Sequence, residues 1–315
     1  MKILVTGGLG SIGSVLTHFL ENRGHQVYIL DKPHNNKINY LRCDIASFYQ
    51  LNEIFKKTKF DLVYHLGAEF GRWNGEDFFD TMWNSNVIGT KNIIKLQEEH
   101  GFKMVFSSSS EVYGDYQGVM KEEIVTEKFI RPMNDYATSK LVNEIQILNS
   151  QDMFNTQTVR VRIFNTYGPG EHFSNYRSVI CRFIYSALHN IEYTVYKNHK
   201  RTSTYITDLV DGLVAISENF KKGEVYNLAG TDYHNIELLS DIITNQLKIK
   251  DPKVKFVDGE KFTTVNKLTD TKKALRDLNL KPKIKLEDGI KKTIEWMKAY
   301  YIDKRINRED LYKFL

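Results

Sequence analysis

Residues 1–16 read MKILVTGGLGSIGSVL: an apolar, β-branched run, then Gly7, Gly10 and Gly13, then apolar residues at helical spacing. Glycines at these intervals permit a tight turn, let the backbone approach a pyrophosphate, and let a helix pack closely on a strand. The start of the following helix offers unpaired N–H groups and a positive dipole end to phosphate. This order predicts a βαβ unit that binds a dinucleotide, with Gly7, Gly10, Ser11, Ile12 and Gly13 around its phosphates. Asp31 stands at the end of the second apolar run, 18 residues past Gly13, where a carboxylate accepts hydrogen bonds from ribose hydroxyls. That favours NAD over NADP, and Lys32 beside it keeps a phosphate-tolerant alternative open. Asp44 and Ile45, after the third run, are expected to border the adenine.

Working outward, short β-branched runs alternate with amphipathic stretches through the first half. Strands are expected over 2–6, 26–30, 38–43, 62–66, 104–107 and 158–164, and helices over 11–23, 51–57, 86–100 and 136–150. The pattern predicts an α/β fold with a doubly wound parallel sheet of the Rossmann type, whose ligands lie at the carboxyl ends of the strands. After Tyr167-Gly168-Pro169 the pattern becomes irregular, and a second, smaller substrate-binding domain is expected there. The expected division is 1–168 for the dinucleotide domain, its sheet completed by roughly 201–228, and 169–200 with 229–315 for the smaller one.

Bulk properties narrow the functional classes. With 41% hydrophobic and 26% charged residues, the chain has the composition of a globular protein with a substantial core. Its net charge of +5 arises from 44 basic and 39 acidic residues spread along the chain, so no nucleic-acid footprint is expected. Two cysteines, Cys43 and Cys181, suggest neither a disulfide framework nor a metal site, and no apolar run has membrane-spanning length. A cytoplasmic protein without metal is expected.

Residues 134–140 read NDYATSK, which puts Tyr136 and Lys140 on one helix face. A phenol is a poor base at neutral pH unless a neighbouring ammonium favours the phenolate, and Lys140 suits that role. Upstream, residues 106–114 read FSSSSEVYG after a strand, so Ser109, Ser110 and Glu111 emerge beside the cofactor. Ser109 is the expected hydrogen-bond partner of a hydroxyl undergoing oxidation, and Glu111 a group for later proton transfer.

Together these motifs resemble the extended short-chain dehydrogenase/reductase family, in its branch of NAD-dependent nucleotide-sugar epimerases, dehydratases and decarboxylases. The resemblance also rests on YHLGAE at 64–69, NVIGT at 86–90, RIFNTYGPG at 162–170 and RTSTYITDLVDGL at 201–213, and so runs along nearly the whole chain. It implies that Leu66, Gly67 and Ala68 touch the cofactor. It also implies that Asn165 contacts a nucleotide-diphosphate sugar and that Arg201, with Arg177, meets the diphosphate. A guanidinium grips a diphosphate bidentately, and an amide offers both donor and acceptor.

The implied chemistry opens with oxidation of the sugar 4-hydroxyl to a 4-keto intermediate, followed by decarboxylation or dehydration, with 4-epimerisation as the competitor. Dehydratases of the branch have an Asp-Glu pair after the hydroxyl residue; here the Asp position is Ser110. The run Ser109 to Gly114 is similar to that of UDP-glucuronate decarboxylases, yet the arginine that those enzymes have after the Gly-Pro turn is replaced by Gly170-Glu171-His172. Glu171 would repel a uronate if it faced the site. A non-catalytic NAD-binding regulator is the reading from another class, and intact Tyr136, Lys140 and Ser109 argue against it. Members of the branch are commonly homodimers, which is expected here.

Overall fold

Side chains on β1 (Lys2–Thr6) alternate strictly: Ile3 and Val5 enter one core, Leu4 the other. The computed structural model describes the backbone of the whole chain and the side chains of all residues except 308 and 309. Five further strands follow the expected alternation: β2 (Gln26–Asp31), β3 (Tyr40–Arg42), β4 (Leu62–His65), β5 (Lys103–Ser109) and β6 (Gln157–Ile163). Because apolar side chains cover both faces, these strands read as nearly continuous hydrophobic runs. Leu62, Tyr64, Val105, Val159 and Val161 join the first core, and Val63, Met104 and Phe106 the second.

The next five strands are β7 (Thr166–Tyr167), β8 (Tyr193–Lys197), β9 (Lys200–Thr202), β10 (Thr204–Tyr205) and β11 (Val225–Leu228). The remaining three are β12 (Tyr233–Asn235), β13 (Val254–Asp258) and β14 (Asn266–Lys267). The main sheet has seven parallel strands in the order β11-β6-β5-β4-β1-β2-β3. Its order reverses direction at β1, beside β4, which is where a doubly wound sheet opens a crevice.

Only part of the expected completion from the second half enters this sheet. Val225–Leu228 pairs with β6, but Lys200–Thr202 satisfies its backbone against β12 and β14 in a separate three-stranded sheet. The short pair β7–β10 and the pair β8–β13 also stand apart. The helix expected from residue 86 starts earlier: Phe79–Trp83 runs through a π-turn at Asn84–Ile88 into Gly89–His100. Helix Asp135–Phe154 is longer than expected, capped by the Asn134 side chain, which accepts from the Ala137 N–H at 2.8 Å, and closed by Asn155 at φ 54°. Among the described residues no helix is long and apolar enough to cross a membrane.

Tyr64 ties the sheet to helix Ile206–Glu218, donating to the Leu213 carbonyl at 2.9 Å from a fully buried position. Ile3, at the centre of the same layer, is fully buried. Ile3→Ala is expected to cost about 2–5 kcal/mol of stability. A urea titration should show a lowered midpoint with an unchanged slope.

Candidate active site

A cavity of about 550 Å³ opens at the carboxyl ends of β1, β2, β4, β5 and β6. Its floor is the glycine loop. Gly7 has φ +68°, and a Cβ there would lie 2.8 Å from the Gly67 Cα, so the β1 and β4 loops touch backbone to backbone. A Cβ on Gly13 would come within 2.3 Å of the Gly7 carbonyl oxygen. Helix Ser11–Glu21 has Gly10 as its N-cap with no side-chain cap bond, leaving its first-turn N–H groups for a ligand.

Asp31 faces the same loop. One carboxylate oxygen accepts from the Leu9 N–H at 3.0 Å, the other from the Lys32 N–H at 2.8 Å. The Lys32 ammonium lies 3.1 Å from Glu69. Gly10, Ser11, Ile12, Ile45, Leu66, Gly67 and Ala68 all line the cavity. Asp44 is absent from this lining, its carboxylate accepting from the Ala46 N–H at 2.9 Å in a local turn, while its neighbours Cys43 and Ile45 line the wall. The glycine floor, open helix terminus and ribose-level carboxylate fit a dinucleotide.

Across the cavity, β5 ends at Ser109 and helix Asp135–Phe154 begins one residue before Tyr136. The Ser109 hydroxyl accepts from the Glu111 N–H at 3.2 Å and lines the cavity with the Tyr136 phenol. Burial pushes that phenol up to about 12, against the pull of the neighbouring Ser109 hydroxyl, and the nearby Glu111 charge adds to the rise. Lys140, one turn along, donates to the Ser107 carbonyl at 2.8 Å and lies 5.9 Å from the centre of the Tyr136 ring. Burial draws its ammonium down to about 7, opposed by Glu144. Ser110 is buried beside them in the single turn Ser110–Tyr113.

Glu111 does not stand free. Its carboxylate meets the Lys267 ammonium in a tight ion pair, with the Asn134 amide at 3.5 Å. Burial alone would raise its carboxyl, but Lys267, Arg72 and Arg201 outweigh burial and hold it at about 2. Lys267 is itself drawn down by burial to about 8, against Glu111.

Cations dominate the rest of this end. Arg201 is buried, donating to the Lys200 and Val265 carbonyls at 2.8 Å. Arg177 lies over the Phe70 ring at 3.8 Å. Asn165, at φ 32°, donates to the Thr202 carbonyl at 3.0 Å. Three cavity-lining cations were not anticipated: Arg72, paired with Glu260 at 2.8 Å; Arg182, whose Nε is buried without a partner; and Lys267. Arg72 opens the short helix Arg72–Asp77, Arg182 sits on helix Val179–Leu188 and Lys267 ends β14, three elements far apart in the chain, so only the folded chain assembles them. Glu171 also lines the cavity, yet both of its oxygens are engaged by Ser178, at 2.9 Å from the N–H and 2.7 Å from the hydroxyl. Burial raises its carboxyl above the ordinary range, against Arg177 and Ser178. It braces Ser178, the N-cap of helix Val179–Leu188, whose hydroxyl accepts from the Cys181 N–H.

Residues 3–229 match the NAD dependent epimerase/dehydratase family. A UDP-N-acetyl-alpha-D-glucosaminuronate decarboxylase of Bacillus cytotoxicus is 30% identical, over 94% of this chain and 98% of that protein. The solved structure of Pal from Bacillus thuringiensis superposes with a TM-score of 0.87 at 29% identity, covering 95% of this chain and all of that one. A UDP-glucuronic acid 4-epimerase from Bacillus cereus, in complex with UDP-glucuronic acid and NAD, superposes with a TM-score of 0.85 at 25% identity, over 96% of this chain.

The Glu111 geometry sets a pH dependence. Its folded carboxyl sits below its ordinary value of 4.5, so the stability it contributes is present above pH 4.5 and is lost as pH falls towards about 2. Urea midpoints of the wild type and Glu111→Gln should differ most near neutrality and converge across that window; a difference independent of pH would contradict the ion pair. Separately, Gly13→Ala should weaken NAD binding at least tenfold by calorimetry, since the new methyl displaces the phosphate-facing helix terminus.

Proposed function

Because the chain belongs to the NAD-dependent epimerase/dehydratase family, we propose that it oxidises the 4-hydroxyl of a UDP-linked uronic acid and then removes the sugar's carboxylate as carbon dioxide. The observation that carries this reading is Lys267. It is a buried ammonium at the sugar end of the cavity, beside Glu111, in a chamber that also holds Arg72, Arg182 and Arg201. A nucleotide-linked neutral sugar needs cations at its diphosphate alone; a uronate needs one more at the sugar. Lys267 supplies from a late strand the charge missing after Pro169. Glu171 lines the same cavity with both oxygens engaged by Ser178, and the carboxylate that faces Lys267 is Glu111.

In this mechanism the Tyr136 oxygen accepts the proton of the 4-hydroxyl, which the Ser109 hydroxyl orients, and the Lys140 ammonium favours the phenolate. The Gly7–Gly13 loop and Asp31 would hold NAD, which would supply the hydride acceptor and, at the end, the hydride donor. The 4-ketone takes up the electron pair released as the bond to the carboxylate breaks, and carbon 5 then gains a proton in place of the carbon dioxide lost. Dehydration is the poorer reading. It needs an acid for the departing hydroxyl, and Ser110 is no such acid, while Glu111 is held ionised by Lys267. The segments 169–200 and 229–315 are assigned to nucleotide-sugar binding. A cytoplasmic homodimer belongs to the same proposal, supported by exposed Phe79, Trp83 and Ile88 on one continuous helical stretch.

Incubation with UDP-uronates and product mass spectrometry decides the second step. Loss of carbon dioxide supports the reading; unchanged mass with inverted carbon 4 means epimerisation, and loss of water means dehydration. Tyr136→Phe should lower turnover at least about 100-fold. Lys267→Met should lower kcat/KM for the uronate by about 10- to 100-fold and leave the affinity for the neutral UDP-hexose nearly unchanged. Equal losses for both sugars would remove Lys267 from carboxylate recognition.

A further inference from the structure

Two turns beyond Tyr136 and one beyond Lys140, the same helix carries Glu144, a carboxylate that never reaches the cavity. It is buried at 2% exposure and accepts four hydrogen bonds from three side chains. Arg162 on β6 grips it bidentately, Nε at 3.0 Å and Nη2 at 2.8 Å; Arg160 reaches it at 3.3 Å; and the Ser108 hydroxyl donates to it from β5. Arg162 is anchored in turn on the Tyr113 hydroxyl at 3.1 Å and the Glu122 carbonyl at 2.7 Å, and Tyr113 donates to Asn227 at 2.7 Å. The network thus binds three neighbouring strands to the helix that carries Tyr136 and Lys140.

We infer that Glu144 is a positioning residue that keeps the Lys140 ammonium charged and, through Ser108, fixes the strand end bearing Ser109. This rests on the assignment of Tyr136 and Lys140 as the oxidising pair. The charges around Lys140 give it physical content. On its own helix it faces Tyr136 and Glu144; on β5 it meets the Ser107 carbonyl and the Phe106 ring, 5.2 Å away. From β4 it faces His65, which burial and the Lys140 charge keep neutral, its imidazole held down at about 3. Beyond Tyr136 stands Glu111, and behind Glu144 stand Arg160 and Arg162.

The Glu144 carboxylate forms ion pairs with the two guanidiniums, and its charge acts at longer range on the Lys140 ammonium one helical turn away. Guanidinium keeps its proton in proteins, whereas a buried lysine sheds its own readily. Any loss of negative charge at Glu144 is accordingly expressed in Lys140, the weakest holder of a proton among the three. Removing Arg160 has the opposite effect, because it deletes a competing cation and leaves Glu144 to the ammonium.

The test follows the Lys140 13Cε resonance through pH in the lysine-labelled full-length protein, assigned by its disappearance in Lys140→Arg. Glu144→Gln should lower the Lys140 midpoint by about one pH unit, and Arg160→Gln should raise it by a smaller amount. A role confined to stability would leave both midpoints in place. Midpoints unmoved, or moved in the same direction in both variants, overturn the inference. Where Glu144→Gln does not fold, the direction seen in Arg160→Gln decides alone. Turnover separates the two claims: if Lys140→Met and Tyr136→Phe retain activity, the oxidising pair is misassigned whatever the resonance shows. If they lose it while the midpoints stay fixed, only the role of Glu144 falls.

Discussion

No carbon atom fits between the first helix and the first strand at Gly13, where a side chain would press within 2.3 Å of the Gly7 carbonyl. That contact sets how closely the helix sits on β1, and so where its uncapped terminus points. The same loop presses on Gly67 at the end of β4, so two strand ends share one floor. Asp31 is bonded back to this floor through the Leu9 N–H, and Ser109 and Tyr136 line the same cavity across the crevice. Packing closeness here is a functional constraint, because a displaced helix would carry its phosphate-facing N–H groups with it.

The opposite wall is governed by charge. Buried ions are costly unless paired, and removing one partner costs more than the pair contributes. This chain nevertheless buries Lys267 against Glu111, partly buries Arg72 against Glu260, and buries Glu144 against two arginines. The first two pairs line the cavity and the third lies behind it. Around the cavity the cations exceed what these carboxylates balance, since Arg201 bonds carbonyls and Arg182 has an unpartnered Nε. A wall with surplus positive charge suits a ligand bearing several negative ones.

Legibility in the sequence followed the range of the interactions involved. The glycine loop, the strands β1 to β6 and the Tyr136–Lys140 spacing depend on residues near one another in the chain, and their periodicity displays them. The ends of elements were less readable: the helix before residue 86 has no cap signal because a π-turn carries it straight on from Phe79. The local turn that Asp44 makes to Ala46 was likewise not visible from its position after a strand. Lys267 and Arg72 were out of reach, since one partner lies 156 residues away and the other 188. Glu171 stood in the expected place and lines the cavity, but its two bonds to Ser178 were not visible in the sequence.

The two halves of the site therefore differ in how they are built. The oxidation half comes from one strand end and one helix start, held by short-range geometry and backed by Glu144. The sugar half is assembled from the loop around Arg72, the helix carrying Arg182 and the strands carrying Arg201 and Lys267. A change in any of these segments can recast the anionic chamber without disturbing Ser109, Tyr136 or Lys140. Such a division lets one oxidation step serve several outcomes, because the fate of a 4-ketone depends on which charges stand near carbon 5, not on how the ketone was made.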